Sequence, residues 1–458
     1  MDFKNSNNKL LERTFSCSIN KIKQEYDSDE ECNKYGEITG GAMMEDKFNK
    51  GLPMRSQYFN KKKTNNGDDE NSYNLAFNYN KKLKNLQYND RNVENYADIN
   101  MGMKPLTHQI NPTYITNIGL EKLGSLCYLT IMENENNNNT NIIINNYGLY
   151  SIFSALHCIS KEITYNDTKK FFDFPDKKLL RDSMLKLKKN INISNHIKTE
   201  NFLIYGNNIP FNNNNLSKIS DMCEIIRVNI KDAKNEAEKM SYVVNTFMNT
   251  NLKNPVTQQN IENLQVMFMI TSVIHPVWTI AFDKIIIFNN RHYLYSKNRK
   301  TKYYENSDLT MIELECFDGS ICFGFINNMK KKVILDNTKI HNYIDNMKEI
   351  VLGETVIPAI KTDLKIRYNN ILKKTGLKSV FHKITTDEVF LEGDVVLHDV
   401  IQNVKIIIDN DNINKNNENN ENSEIKTTKK FILEDKFEFY VRVKKTNTII
   451  YNGYMYNI

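Results

Sequence analysis

Apolar and polar positions divide the chain unevenly. Residues 1–106 are polar, rich in Asn and Lys, and carry no sustained apolar period, so they are expected to form a low-complexity, largely disordered extension. Residues 107–458 are expected to form one folded domain. Across residues 118–132, Leu120, Leu123, Leu126, Cys127 and Ile131 fall at helical spacing. Ile142-Ile143-Ile144 predicts a short strand. Residues 148–159 hold Ile152, Phe153, Ala155, Leu156 and Ile159 with few polar interruptions, the pattern of a helix buried on most sides. Residues 177–189 predict an amphipathic helix, residues 201–205 and 224–228 short strands, and residues 233–248 a helix carrying Met240, Val243, Val244 and Phe247. Residues 264–274 are an apolar run that suits a strand buried on both faces of a central sheet.

Strands then dominate up to Phe325, with residues 313–325 turning back at Asp318-Gly319. Residues 351–360 predict a strand. Residues 364–375 predict a helix ended by Gly376, which suits a left-handed cap. Residues 395–408 are rich in β-branched side chains, residues 409–428 are polar without a period, and residues 431–443 and 448–456 predict the closing strands. Helices early and strands late indicate an α+β fold.

Composition narrows the function. At 40% hydrophobic and 25% charged, the chain suits a soluble globular protein. Its net charge of +6, from 61 basic and 55 acidic residues, is too mild to argue for nucleic acid as a partner. Lys330, Lys331 and Lys332 fit a solvated basic face. The Asn runs at 136–139 and 212–215 fit surface insertions. The seven cysteines have no Cys-x-x-Cys pair, so buried thiols are expected rather than disulfides or a zinc site. The N-terminus shows no apolar leader and no run spans a bilayer, which leads to an expected cytoplasmic or nuclear location. There is no His-Glu-x-x-His, Gly-x-Ser-x-Gly, phosphate loop or dinucleotide glycine pattern. The histidines His157, His275, His292, His382 and His398 are isolated in sequence. Neither an enzyme, a metal site nor a cofactor is expected.

Several motifs, in their order and spacing, resemble the serpin family over residues 107–458. The clearest is the long strand followed by Trp278 and, four residues later, Phe282. Ser151 to Leu156 resembles the family's Ser-Ile-x-x-Ala helix start, and Asn245 with Phe247 its Asn-x-aromatic pair. Ile357-Pro358-Ala359-Ile360 resembles a Leu-Pro-Lys-Phe strand; Leu372, Gly376, Leu377, Val380 and Phe381 match the segment after it. Phe437-Glu438-Phe439 resembles a Pro-Phe-x-Phe strand with Lys436 in place of Pro, and residues 448–457, with Gly453 and Asn457, resemble the family's terminus. The resemblance implies three β-sheets, about eight or nine helices and an exposed reactive-centre loop. It also implies a monomer that presents bait to a serine (or cysteine) endopeptidase and inhibits it by inserting the cut loop into the main sheet.

Ile407-Ile408-Asp409-Asn410 resembles the strand that leads into that loop. Counting forward from Asn410 places the scissile bond at Lys426-Thr427; counting back from Phe437 places it at Ile425-Lys426. The first implies a trypsin-like protease. Insertion requires one parity of the loop to be small or apolar. The hinge holds Asn410, Asn412, Ile413, Asn414 and Lys415, and neither parity onward to Glu424 gives an apolar face. Each buried unpaired amide costs about 1–3 kcal/mol, and a charge more. Where the family carries a Ser, an Asn and a His that latch the sheet, this chain has Gly148, Ile270 and Gln402, so loss of that latch is expected. Two readings follow: a protease inhibitor with doubtful insertion, or a non-inhibitory serpin relative that binds another protein as chaperone or scaffold.

Overall fold

The structure is a computed structural model. It describes residues 112–133, 140–210, 212, 218–328, 336–386, 389, 395–409, 429–434 and 436–456. In chain order the elements begin with helix α1 (Pro112–Met132), strand β1 (Ile142–Asn145), helices α2 (Asn146–Ile159), α3 (Glu162–Phe172) and α4 (Lys177–Asn192), and strands β2 (Ile197–Gly206) and β3 (Glu224–Val228). Then come helices α5 (Ala233–Met248) and α6 (Gln258–Ile261) and strands β4 (Val266–Ile274), β5 (Lys284–Phe288), β6 (Arg291–Glu305), β7 (Leu309–Glu315) and β8 (Ile321–Asn328). The remainder is α7 (Asn337–Asp345), β9 (Lys348–Pro358), β10 (Ile360–Arg367), α8 (Asn369–Lys374), β11 (Leu397–Ile408), β12 (Lys430–Ile432), β13 (Phe437–Val443) and β14 (Thr448–Met455).

Two sheets carry the fold. The five-stranded sheet runs β10-β11-β4-β2-β3, and a nine-stranded sheet runs β1-β14-β13-β8-β7-β6-β9-β12 with β5 also on β6. The three sheets implied by the resemblance are here two bonded sheets. The cause is the length of β6: it pairs with β5 and β9 from Arg291 to Tyr303 and also with β7 from Lys302 to Glu305. One strand thus belongs to what would otherwise be two separate layers.

The core follows from the apolar patterns. Helix α2 is buried along its whole length, as its nearly continuous apolar sequence predicts. It lies against the five-stranded sheet, with Phe153 edge-on to Phe268 at 5.7 Å. At Gly148 a Cβ would stand 2.4 Å from Ile270 Cγ2, so only glycine lets this helix start close to β4. Across the nine-stranded sheet Gly453 faces Phe439, whose ring would meet a Cβ at 2.0 Å.

Three expectations need correction. Residues 364–367 are strand, not helix: β10 is an edge strand, its alternate residues Leu364 and Ile366 face the core, and only Asn369–Lys374 is helical. An apolar spacing of two on one strand face also satisfies part of a helical period. Helix α3 was not anticipated, because only Thr164, Thr168 and Phe172 of its eleven residues are buried. The expected strand over 431–443 is broken, with β12 at the sheet edge beside β9 and β13 between β8 and β14.

Candidate functional site

The long apolar strand β4 lies parallel to β11, and together they form the seam at the centre of the five-stranded sheet. Pairing runs without a gap from Asp399↔Met267 to Ile406↔Ile274. Antiparallel neighbours, β10 on β11 and β2 on β4, flank it on either side. Helix α2 covers one face. Helix α5 lies over the other, burying Met240, Val244 and Met248, with Phe247 edge-on to Phe202 at 5.9 Å. The seam is closed and buried on both faces.

A buried polar cluster ties its two strands together. On β11, Gln402 Oε1 accepts from the Asn145 backbone N–H at 2.7 Å and from the Tyr368 hydroxyl at 2.8 Å. Gln402 Nε2 donates to the Ile143 carbonyl at 2.5 Å. The Asn145 side chain caps α2 by accepting from Gly148 N–H at 2.7 Å and donates to Ser272 Oγ of β4 at 2.7 Å. Thr199 of β2 donates to Ser272 at 3.3 Å and shares a 2.5 Å hydrogen bond with the Tyr451 hydroxyl. Burial raises Tyr368 well above the usual tyrosine range and pushes Tyr451 up to about 12, so both hydroxyls keep their protons.

This corrects the expected loss of the latch. Gly148 and Ile270 do replace a polar contact by an apolar one, as the 2.4 Å gap between a Gly148 Cβ and Ile270 shows. The hydrogen bonding is moved rather than lost, because Gln402 is long enough to reach the β1–α2 junction and Tyr368. Sequence reading missed Asn145, Ser272, Thr199, Tyr368 and Tyr451. The signal available was Asn145 itself, a favoured N-cap type between an apolar strand and an apolar helix.

At the mouth of the seam, His275 follows β4 and Asp409 follows β11. His275 Nε2–H donates to Asp409 Oδ1 at 3.1 Å across the gap. Behind them the buried His196 accepts from the Val277 N–H at 3.1 Å through Nδ1, with Nε2 3.5 Å from Asp318. Burial lowers the His196 pKa, and the Asp318 carboxylate opposes that shift. A cleft of about 420 Å³ opens beside the mouth, with Arg291, His292, Lys361 and Asp409 among its lining. The chain re-enters the described structure at Lys429, which pairs with Glu305 at 2.5 Å, and Lys430 pairs with Glu354 at 2.7 Å.

The residues singled out from the sequence divide into three groups. Asn410, Asn412, Ile413, Asn414, Lys415, Ile425, Lys426, Thr427 and Asn457 lie outside the described residues. Trp278 and Phe282 are buried together, ring centroids 6.1 Å apart, with Phe323 5.5 Å from Trp278. Ser151 and Phe437 are buried, Gly376 has a φ of 108°, and Asn245 bonds both the N–H and the carbonyl of Leu252. These last side chains hold the fold; none reaches the seam mouth. Among the described residues no group of His, Cys, Asp or Glu is placed to hold a metal, the five cysteines are free and buried, and no helix is long and apolar enough to cross a membrane.

Known proteins match this architecture. The family model for serpins (serine protease inhibitors) matches residues 125–458, more than half of the chain. An uncharacterized serpin-like protein of Acanthamoeba polyphaga mimivirus is 24% identical over 242 residues, a match spanning 48% of this chain and 60% of that relative's length. The crystal structure of native protease nexin-1 with heparin superposes with a TM-score of 0.65 at 15% identity, covering 76% of this chain and 100% of the other. The chain belongs to the serpin family.

Proposed function

We propose that this chain is a protease inhibitor that offers residues 410–428 as bait to a trypsin-like serine endopeptidase, and that capture of the enzyme is slow. The closed β4–β11 seam carries this reading. It is the slot a cut loop must enter, and Asp409, the last described residue before that segment, stands at its mouth. Attack on the Lys426 carbonyl breaks the bond to Thr427 and leaves the protease as an acyl ester on Lys426. Insertion must then separate two fully paired strands and the Gln402–Asn145–Ser272 cluster. It must also bury Asn and Glu side chains of that segment, at a cost for each one left unpaired. Hydrolysis of the acyl ester competes during that delay. The serpin-type mechanism needs no catalytic residue from this chain.

The test is a titration of fixed trypsin activity with the purified full chain. Under this proposal residual activity falls slowly, and several molecules of inhibitor are consumed per enzyme. Lys426→Ala abolishes inhibition of trypsin and moves the cut. Unchanged trypsin activity after prolonged incubation with an excess of the chain overturns the proposal. So does equal inhibition by the Lys426→Ala variant.

A further inference from the structure

Strand β5 stands apart from the rest of the sheet. Its sequence is Lys284-Ile285-Ile286-Ile287-Phe288, as apolar as a central strand, yet Ile285, Ile287 and Phe288 are 45%, 68% and 63% exposed. It pairs with β6 on one side, and among the described residues no strand pairs with the other. A free edge normally carries charges, a Pro or a bulge that discourages further pairing. β5 has a single charge, Lys284, at its start. Exposed apolar residues on an unblocked edge mark an interaction surface.

The strand also suits a second copy of itself. One antiparallel register pairs all five residues, the one centred on Ile286. It sets Ile285 against Ile287 of the partner subunit and Ile286 against Ile286 of the partner subunit. It sets Lys284 against Phe288 of the partner subunit. The one cation therefore meets an aromatic ring instead of another lysine, a favourable pairing. Lys284 already sits over the Tyr295 ring at 5.1 Å, and Phe288 lies edge-on to Tyr293 at 6.5 Å, so an aromatic surface continues on that face. A two-fold contact requires such self-complementarity, in which residue i meets j and j meets i.

We infer that β5 is a homodimer contact, in which two copies join edge to edge and extend the nine-stranded sheet across a two-fold axis. This departs from the monomer that the family resemblance implies. It is independent of the protease reading, because it uses no residue of the seam or of the loop.

Sedimentation equilibrium of the full chain tests it, from sub-micromolar to about 100 μM, a range that covers weak and moderate dimers. The expected result is a monomer–dimer equilibrium whose dissociation constant rises at least about tenfold in Ile287→Asp, the most exposed apolar residue of the strand. Circular dichroism and melting temperature serve as the folding control. Disulfide trapping tests the register: Ile286→Cys crosslinks to its own copy under mild oxidation. Lys284→Cys does not, because that pairing holds the two positions about 13 Å apart along the strand. A monomer at every concentration overturns the inference and leaves the edge to a different partner. A dimer unaffected by Ile287→Asp, or one in which Lys284→Cys crosslinks as well as Ile286→Cys, overturns it too.

Discussion

Replacing Gln402 by Leu removes the side chain that joins β11 to the interior. Gln402, Tyr368 and Asn145 are all fully buried, so no water takes the place of the lost amide. Three groups lose a partner at once: the Asn145 N–H, the Tyr368 hydroxyl and the Ile143 carbonyl. At about 1–3 kcal/mol for each unsatisfied group, and with the three sharing neighbours so that losses do not simply add, a destabilisation of about 3–5 kcal/mol follows. Tyr368→Phe removes only the donor; Gln402 Oε1 keeps Asn145, so about 1 kcal/mol is expected. Urea unfolding followed through the chain's single tryptophan, Trp278, and by circular dichroism measures both. The double variant is expected to lose less than the sum of the two single losses, since the Tyr368 bond is counted in each. A loss under about 1 kcal/mol for Gln402→Leu, or strict additivity with Tyr368→Phe, refutes the view that this cluster holds the seam.

Further expectations rest on other sites. His157 is buried, bonded to Thr168 Oγ1 at 2.8 Å and stacked on Tyr165. Burial first, then Lys177 and Lys169, lower its pKa to about 4. The unfolded chain then takes up a proton before the folded one. Stability from this residue is complete above about pH 6.5 and falls by about 3 kcal/mol as the pH drops to about 4. Melting curves of the wild type and His157→Gln from pH 7.5 to 4.5 check this: the gap between them narrows towards acid. Gly453→Ala drives a methyl into the Phe439 ring and is expected to lose about 1–3 kcal/mol, partly recovered by Phe439→Leu in the same chain. Arg442 and Glu313 form a buried pair at 2.6 Å, to which Tyr440 also donates. Arg442→Met strands the carboxylate and is expected to lose about 3–5 kcal/mol by urea unfolding, whereas replacing both residues by apolar side chains is expected to lose far less.

Much of this fold is legible in the sequence, because apolar period reports burial directly. Strand β4 and helix α2 are buried nearly throughout and read as continuous apolar runs, while helix α5 buries one stripe against the sheet and reads as amphipathic. Helix α3 escaped notice because it buries two threonines and one phenylalanine, and threonine carries little hydrophobic signal. β10 was misread because an edge strand, buried on one face, alternates through lysines that also suit a helix surface.

The seam was harder to read, for a different reason. Gly148, Ile270 and Gln402 each differ from the family pattern, and in sequence they look like three independent losses. In space they compensate one another: Ile270 fills the gap above Gly148, while Gln402 moves the hydrogen bonds to Asn145 and Tyr368. Tyr368 lies 34 residues from Gln402 and Asn145 257 residues from it. No local pattern joins them. The His275–Asp409 contact is hidden in the same way, since the two residues meet only because β4 and β11 run parallel and end within two residues of each other.

The most direct test of slow insertion is to cut the loop without a captured enzyme. The chain is nicked briefly with trypsin, the protease is quenched, and the melting temperature is followed over time, with a denaturing gel run on a parallel sample left unquenched. The account predicts a cut between Lys426 and Thr427, a melting temperature that starts near that of the intact chain and rises only over hours, and a minor band of covalent complex beside mostly nicked protein. A large rise complete within the mixing time, with nearly all of the chain in complex, contradicts slow insertion.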